Sequence, residues 1–437
     1  LDLVTVILIF AGKSRRFWPL CEKSFFPVSG TSLIEEQVRR LEAAGVRDIL
    51  LVAGEHNLKL AKKVFPKKKI LVQEDLTLGM RGALLSALPA CGRKPVLIVS
   101  ANDIIEPQAY RDLLSRSKKI TRGGLILARK VRHYFPGGYL SLKGKRITGI
   151  VEKPKPGSEP SDMINIVAHF HASAEVLLAA LKKIKPTKKD DGYEQALDLL
   201  FRQNPYETVI CRGSWQAIKY PWHLLDLLPQ ILPSGGRPVI AKSVKIHPTA
   251  VIEGPVVIAE NAKIYAHATV RGPCYIGHGS VVANNALVRD SSIGDNCVVG
   301  YNTEIVRSIL ASDIWTHSSY VGDSIIDKNT SFGGGTITGN LRLDEEMVSS
   351  VIEGKKTPTG RVKLGAIIGA HCRTGVHTCF VPGVRIGAGS FISSSTLVTE
   401  DIPDNSFVKE ERVKLVIRSN RETPKKSGDR DSFRQKL

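Results

Sequence analysis

The sequence predicts two folds in one chain: an α/β domain with a mainly parallel sheet, then a hexapeptide-repeat parallel β-coil. Two observations predict them. Up to about Leu232, apolar runs of strand length alternate with helical patterns, as in sheets whose strands are joined by helices. Beyond the linker-like LPSGGRP at 232–238, aliphatic residues return at every sixth position. Short strands stacked turn upon turn need that period. The length of 437 residues agrees, since it exceeds one ordinary core and favours two or three domains.

The elements follow in order. The run VTVILIF at 4–10 has no basic flank before it and no small-residue cleavage site after it. It reads as a first strand rather than a signal peptide. Ser32-Leu-Ile-Glu35 is a capping box that opens the helix LIEEQVRRLEAAG. Leu33, Ile34, Val38 and Leu41 share one helical face, and Gly45 suits the C-terminal cap. DILLVA, a helix near 59–64, KILVQ, a helix over 79–88 and PVLIVS continue the alternation. Ligands of such sheets bind beyond the carboxyl ends of the strands. The loop 11–23 and Asn102-Asp103 both sit at such ends, and the loop crowds Lys13, Arg15, Arg16 and Lys23 together.

In the second half, Ile246, Ile252, Ile258, Ile264, Val270, Ile276, Val282 and Val288 keep the six-residue register without a break. After a one-residue slip it resumes at Ile293, Val299 and Ile305, and it returns at Ile368, Phe380, Ile386, Ile392 and Val398. Small residues such as Ala262, Ala268, Ser280 and Ala286 fall four places after each aliphatic. Two interruptions, at 309–320 and 341–363, are expected to be loops that leave the coil and carry function. His371, Cys372, His377 and Cys379 resemble a metal cluster, but Cys372 takes the same inward slot as Cys274 and Cys297. The spacing matches no standard zinc finger.

Hydrophobic content of 42% and charged content of 24% are those of a globular protein, and no apolar run is long enough for a bilayer. The net charge of +20 favours anionic partners. Part of it lies in the basic tail 409–437, which has too few core-forming residues to fold alone. Seven scattered cysteines without a CxxC pair fit the reduced thiols of a cytoplasmic protein.

The stretch AGKSRRFWPLCEKSFFPVSGTSLIE resembles the opening of the sugar-1-phosphate nucleotidylyltransferases, whose pattern is roughly AAG-x-G-T-R-(L/F)-x-P-L followed by P-K-x-L-x-P-V-x-G. VQEDLTLGMRGAL, VLIVSANDII, GGYLSL, ITGIVEKPKPGS, INIVAHF and WQAIKYPWHLLD continue the resemblance in order. It implies a Rossmann-like nucleotidyltransferase domain at 1–232 that uses UTP or dTTP and a sugar-1-phosphate. Ala11, Gly12 and Lys13 would cradle the nucleotide, Arg16 and Lys23 would act on the triphosphate, and Gln73 and Gly79 would meet the base. Asp103 would hold Mg²⁺, and Gly138, Glu152 and Asn165 would receive the sugar. The chain departs from the pattern at Ser14, Arg15, Met80, Arg81 and Asn102, and at Ala217, where many relatives carry a second metal ligand.

THSSYVGDSIIDKNTSFGGGTITGNLRLD and GRVKLGAIIGAHCRTGVHTCFVPGVRIG resemble the acetyltransferase half of bifunctional N-acetylglucosamine-1-phosphate uridyltransferases. That resemblance implies a left-handed parallel β-helix at 244–408, after a linker at 233–243, that forms homotrimers and takes acetyl-CoA. His317 would be the general base, with Tyr320, Asn340 and Lys363 around the sugar phosphate and the Gly333–Gly335 run allowing close backbone approach. Two other readings stay open at this point. The coil could serve only as a trimerisation scaffold, or the whole chain could be a non-catalytic subunit like those of the translation-initiation exchange factor. Neither nucleic acid nor a membrane is expected as a partner.

Overall fold

The computed structural model describes residues 4–20, 22–185 and 191–411. The basic tail expected at 409–437 lies outside the described residues from 412 onward. The chain forms two compact units, Leu1–Ser14 with Leu33–Ile218, and Arg15–Ser32 with Lys219–Leu437.

The first unit is built on one nine-stranded sheet. Its strands are β1 (Thr5–Ile9), β2 (Ile49–Ala53), β3 (Lys69–Val72), β4 (Val96–Ser100), β5 (Gly124–Lys130), β6 (Gly138–Lys143), β7 (Arg146–Glu152), β8 (Met163–His171) and β9 (Tyr206–Ile210). They lie in the order β3-β2-β1-β4-β8-β5-β9-β7-β6. The first four pair in parallel, with Ile7 of β1 between Leu50 of β2 and Ile98 of β4. Fully buried aliphatics fill β1, β2 and β4, as parallel strands covered on both faces require. Beyond β4 the sheet is mixed, because β8 and the β6–β7 hairpin run antiparallel to their neighbours.

Helices α1 (Leu33–Ala43), α2 (Glu55–Val64), α3 (Gly79–Ala87), α4 (Pro107–Ser117), α5 (Ala174–Lys183) and α6 (Gly192–Gln203) complete this unit. In α1 the face expected from the sequence is the buried one: Leu33, Ile34, Val38 and Leu41. Gly45 takes a φ of 91° just after the helix, a conformation that costs glycine little. Inside the core, β8 carries two buried imidazoles. His169 Nδ1 lies 2.8 Å from the Tyr193 hydroxyl of α6, and His171 Nδ1 lies 2.8 Å from the Tyr206 hydroxyl of β9.

The second unit is a coil of short parallel strands in three sheets, preceded by helix α7 (His223–Ile231). Its interior is the predicted six-residue series: Ile258, Ile264, Val270, Ile276, Val282, Val288, Ile293, Val299, Ile305, Ile368, Ile386, Ile392 and Val398 are all buried in one core. Ile246 stays 36% exposed, because no earlier turn covers it. Val251 pairs with Thr269, eighteen residues on, whereas Leu287 pairs with Glu304 after seventeen and Glu304 with Tyr320 after sixteen.

That shortening corrects the expected excursion at 309–320. The segment stays in the coil: Ile309–Leu310 pairs with Ser292–Ile293, and Trp315 bridges Val298 and Ser331. The register slips because corners lose one residue, not because the chain departs. The interruption at 341–363 does leave the coil, as the hairpin of Ser349–Ile352 and Lys355–Pro358.

Burial holds the pKa of His169 and of His171 down to about 3. The unfolded chain protonates them near pH 6.5, so they do not affect stability above that pH and lower it as pH falls below. Denaturant melts from about pH 7 to about pH 4.5 are expected to show a loss of up to about 1.4 kcal/mol per pH unit for each imidazole. His171→Asn should make the slope shallower.

Candidate active sites

The chain leaves β1 at Phe10, whose carbonyl accepts a hydrogen bond from Asn57 Nδ2 at 3.0 Å. Ala11 is buried, whereas Gly12 and Lys13 are exposed. A Cβ on Gly12 would meet nothing within 4 Å, so the space beside it is open. Ser14 stands where the family pattern has a second glycine, and its φ of 49° is left-handed. Serine keeps the loop shape that glycine adopts freely, at a cost of about 1 kcal/mol. Its Oγ donates to the Gly12 carbonyl at 3.4 Å.

Arg16 and Lys23 belong to the segment Arg15–Ser32 of the second unit. The Arg16 guanidinium lies 5.8 Å from the centre of the Tyr220 ring, and Tyr220 stacks on Trp222 at 4.6 Å. Lys23 opens a short 3-10 turn, Lys23–Phe25.

In the first unit, Asp103–Ile105 pairs antiparallel with Trp215–Ala217. Asp103 is buried, and its Oδ1 accepts from Trp215 Nε1 at 2.8 Å. Its carbonyl accepts from the buried Gln37 amide. Ala217 is the direct cross-strand neighbour of Asp103, so a methyl group stands beside that carboxylate. Magnesium needs only one or two carboxylates when phosphate and water supply the remaining oxygens. Asp103 meets that minimum, and among the described residues no three His, Cys, Asp or Glu side chains gather into a fuller metal site.

Gln73 is 4% exposed, and its Nε2 donates to the carbonyls of Asp75 and Gly79 at 2.8 Å each. This amide ties the turn that leads into α3. Gly82, which nothing in the sequence marks, admits it: a Cβ there would stand 2.6 Å from Gln73 Nε2. Arg81 points away to cap α5, donating to the Leu181 carbonyl at 3.1 Å and the Ile184 carbonyl at 2.7 Å.

Gly138, Glu152 and Asn165 come from three strands and converge. Glu152 is the cross-strand partner of Gly138, and Ile164 is that of Tyr139. A Cβ on Gly138 would stand 2.5 Å from Asn165 Oδ1 and 3.0 Å from Glu152 Oε2, so only glycine fits. A cleft of about 390 Å³ opens beside Glu152, lined also by Asp191, Glu194 and Asp198. Arg202 lines it too and donates to Asp198 Oδ2 at 2.6 Å, so the wall carries charge of both signs.

The coil holds a second cluster. His317 is exposed at the corner before the strand Tyr320–Gly322. Asn340 Nδ2 donates to the Tyr320 hydroxyl at 3.1 Å and to Asp323 Oδ2 at 2.6 Å. Asp323 is 1% exposed and is the hub: Arg307 donates to its two oxygens at 2.8 and 2.7 Å. Arg361 reaches toward it at 3.8 Å while donating to Asp226 of α7 at 2.5 Å. Burial raises the Tyr320 phenol above its usual range, which keeps its proton in place.

Lys363 bridges Leu341 at the base of the 341–363 excursion. In the glycine run, Gly333 lies against the Gly375 backbone and Gly335 takes a φ of 74°. The missing side chains at Gly333 and Gly335 serve the stacking of turns, whereas a Cβ on Gly334 would meet only the His317 carbonyl, at an ordinary 3.9 Å. Arg307 carries no sequence signal of its own, whereas Arg361 lies inside the stretch GRVKLGAIIG and Asp323 closes the Gly-Asp pair of THSSYVGD.

A nucleotidyl transferase family model matches residues 5–223, and one described as the GMPPB C-terminal domain matches 235–331. A bifunctional sugar-1-phosphate nucleotidylyltransferase/acetyltransferase of Sulfurisphaera tokodaii is 31% identical over 419 residues, which is 92% of this chain and 99% of that protein. The chain belongs to this bifunctional family. The bifunctional protein GlmU of Methanococcus maripaludis is 34% identical over 95% of this chain and 99% of its own length. That of Methanocaldococcus jannaschii is 31% identical over 94% of this chain and 98% of its own. The chain is accordingly an enzyme, a nucleotidyltransferase, and the reading as a non-catalytic subunit falls. Among the described residues no helix is long and apolar enough to cross a membrane.

The Asp323 hub gives a stability prediction. Removing the carboxylate in Asp323→Leu leaves Arg307 without its buried acceptor and is expected to cost about 3 kcal/mol. A urea melt of the variant against the parent chain checks it.

Proposed function

We propose that this enzyme transfers a nucleotidyl group from UTP or dTTP to N-acetylglucosamine-1-phosphate or glucose-1-phosphate with release of pyrophosphate. We further propose that its coil N-acetylates an amino-sugar-1-phosphate with acetyl-CoA. Residues 1–232 carry the first reaction and 244–408 the second, with the coil left-handed and assembled as a homotrimer of a cytoplasmic protein.

The observation that carries the first reaction is the convergence of Gly138, Glu152 and Asn165. A carboxylate and an amide side by side over a bare backbone suit the hydroxyls of a sugar ring. Ala11, Gly12 and Lys13 offer an open loop to the nucleotide, and Arg16 and Lys23 supply the positive charge that the triphosphate needs. Gln73 shapes, through Gly79, the turn against which the base lies. The sugar-phosphate oxygen forms its bond to the α-phosphorus as the bond to the pyrophosphate oxygen breaks. Magnesium, held by Asp103 with phosphate and water oxygens, would neutralise charge on the phosphates.

In the coil, the neutral His317 imidazole takes a proton from the sugar amine as its nitrogen attacks the thioester carbonyl and the CoA thiolate leaves. The Tyr320–Asn340–Asp323 group supports a fixed seat for that sugar, with Lys363 on its phosphate.

Pyrophosphate release from UTP and N-acetylglucosamine-1-phosphate tests the first reaction. Lys23→Ala and Asp103→Ala are each expected to lower it by about 100-fold or more with the fold intact. Thiol release from acetyl-CoA with glucosamine-1-phosphate tests the second, and His317→Ala should abolish most of it, by about 100-fold or more. A chain inert in the second assay would leave the coil as a scaffold.

A further inference from the structure

The segment Arg15–Ser32 carries Arg16 and Lys23, yet it packs within the coil unit. Its contacts run along one face. Trp18 Nε1 donates to Asp404 Oδ1 at 3.0 Å, and the Arg385 guanidinium lies 4.8 Å from the centre of the Trp18 ring. A Cβ on Gly369 would stand 2.8 Å from the Pro19 carbonyl. The Ser29 amide donates to Ser292 Oγ at 2.8 Å, and Gly30 lies against the Tyr275 phenol. Tyr275, Ser292 and Arg385 belong to the strands Cys274–Ile276, Ser292–Ile293 and Arg385–Ile386 of a single eight-stranded sheet. The segment thus lies along that sheet, with Ser29 at its early turns and Trp18 at its late ones.

The Trp18 end is the most elaborately built. Arg385 is buried, and its Nε and Nη2 both donate to Asp401 Oδ2, at 3.0 and 2.6 Å. Asp404 Oδ1 also accepts from the Ala388 amide at 2.8 Å. The indole therefore meets two groups that the coil has already fixed, a cation at its face and a carboxylate at its N–H. In the pattern R-(L/F)-x-P-L, Trp18 fills the open position, so nucleotidyl chemistry alone does not account for it. Among its described residues the segment contains only two short 3-10 turns and a pair of two-residue strands. Such a stretch gains order chiefly from what it is fastened to.

We infer that Asp404 and Arg385 of the coil act through Trp18 as positioning residues for the loop that brings Arg16 and Lys23 to the triphosphate. The inference rests on the nucleotidyl-transfer reading above. An unfastened loop holds its cations in the competent arrangement for a smaller fraction of the time, and triphosphate affinity falls by that fraction.

Steady-state pyrophosphate release by the full chain, with UTP and N-acetylglucosamine-1-phosphate each varied, tests it. Trp18→Phe removes the N–H and keeps the ring, and Asp404→Ala removes the acceptor. Each is expected to raise the KM for UTP by about 5- to 30-fold, with the KM for the sugar phosphate within about twofold of the parent. Asp404→Asn keeps an acceptor oxygen and should restore most of the affinity. The double variant Trp18→Phe/Asp404→Ala should be no worse than Asp404→Ala alone, since the indole bond is already broken there. A merely structural defect would instead lower kcat through the folded fraction and leave both KM values unchanged. That result, a UTP KM unmoved in both single variants, or effects that add in the double variant, would overturn the inference. A parent chain that releases no pyrophosphate would instead overturn the nucleotidyl-transfer reading itself, since that defect would precede any substitution.

Discussion

Each turn of the coil must lay its backbone directly over the turn before it, and the second unit depends on that stacking. The constraint reserves one inward position per strand for an aliphatic side chain and one per corner for something small. Val270, Val288 and Ile305 meet the first demand, and Ala268 and Ala286 the second, all within about 1% of full burial. A parallel coil gains little from local contacts, because strand partners lie sixteen to eighteen positions apart, and forty-two apart across the 341–363 excursion. Stability therefore accumulates turn by turn, in the manner of repeat architectures. The same rigidity makes the corners and excursions usable. Asp323 can hold Arg307 from the preceding turn and Asn340 from the following one because neither turn can slide.

The first unit reaches precision by other means. Its candidate sugar site depends on strands that approach so closely that a single methyl group would block them, as at Gly138. The loop after β1 is shaped by backbone conformation, since Ser14 holds a left-handed turn with a side chain that does not favour one. Asp103 is fixed twice, through its side chain by Trp215 and through its carbonyl by Gln37. The chemistry of this unit is therefore written in the geometry of the main chain as much as in the identity of its side chains.

How far this was legible in the sequence differs between the halves. The coil announced itself, because an interior one residue wide imposes a period that composition cannot hide. Its shortened turns were misread at 309–320, since a missing corner residue and a departing loop break the register alike. The parallel half of the sheet was legible from its unbroken apolar strands. The antiparallel half was not, because β6, β7 and β8 alternate in a way that says nothing of their direction. Gly138, Glu152 and Asn165 were named through family likeness, and only coordinates bring them together across three strands. Trp18 and Asp404 are 386 positions apart, and no local pattern links an indole to a carboxylate at that range.

The coil also shelters three thiols. Cys274, Cys297 and Cys372 all point into the interior of the coil, with Sγ donating to the carbonyls of Val288, Ala311 and Gly387 in turn. Burial pushes the first two up to about 12 and the third up to about 11. Thiolate is the form that reacts with electrophiles and peroxide, and near neutral pH these sulfurs barely form it. The scaffold thus uses a chemically vulnerable residue as inert filler, and oxidants or alkylating agents reach its backbone architecture only after the turns themselves come apart.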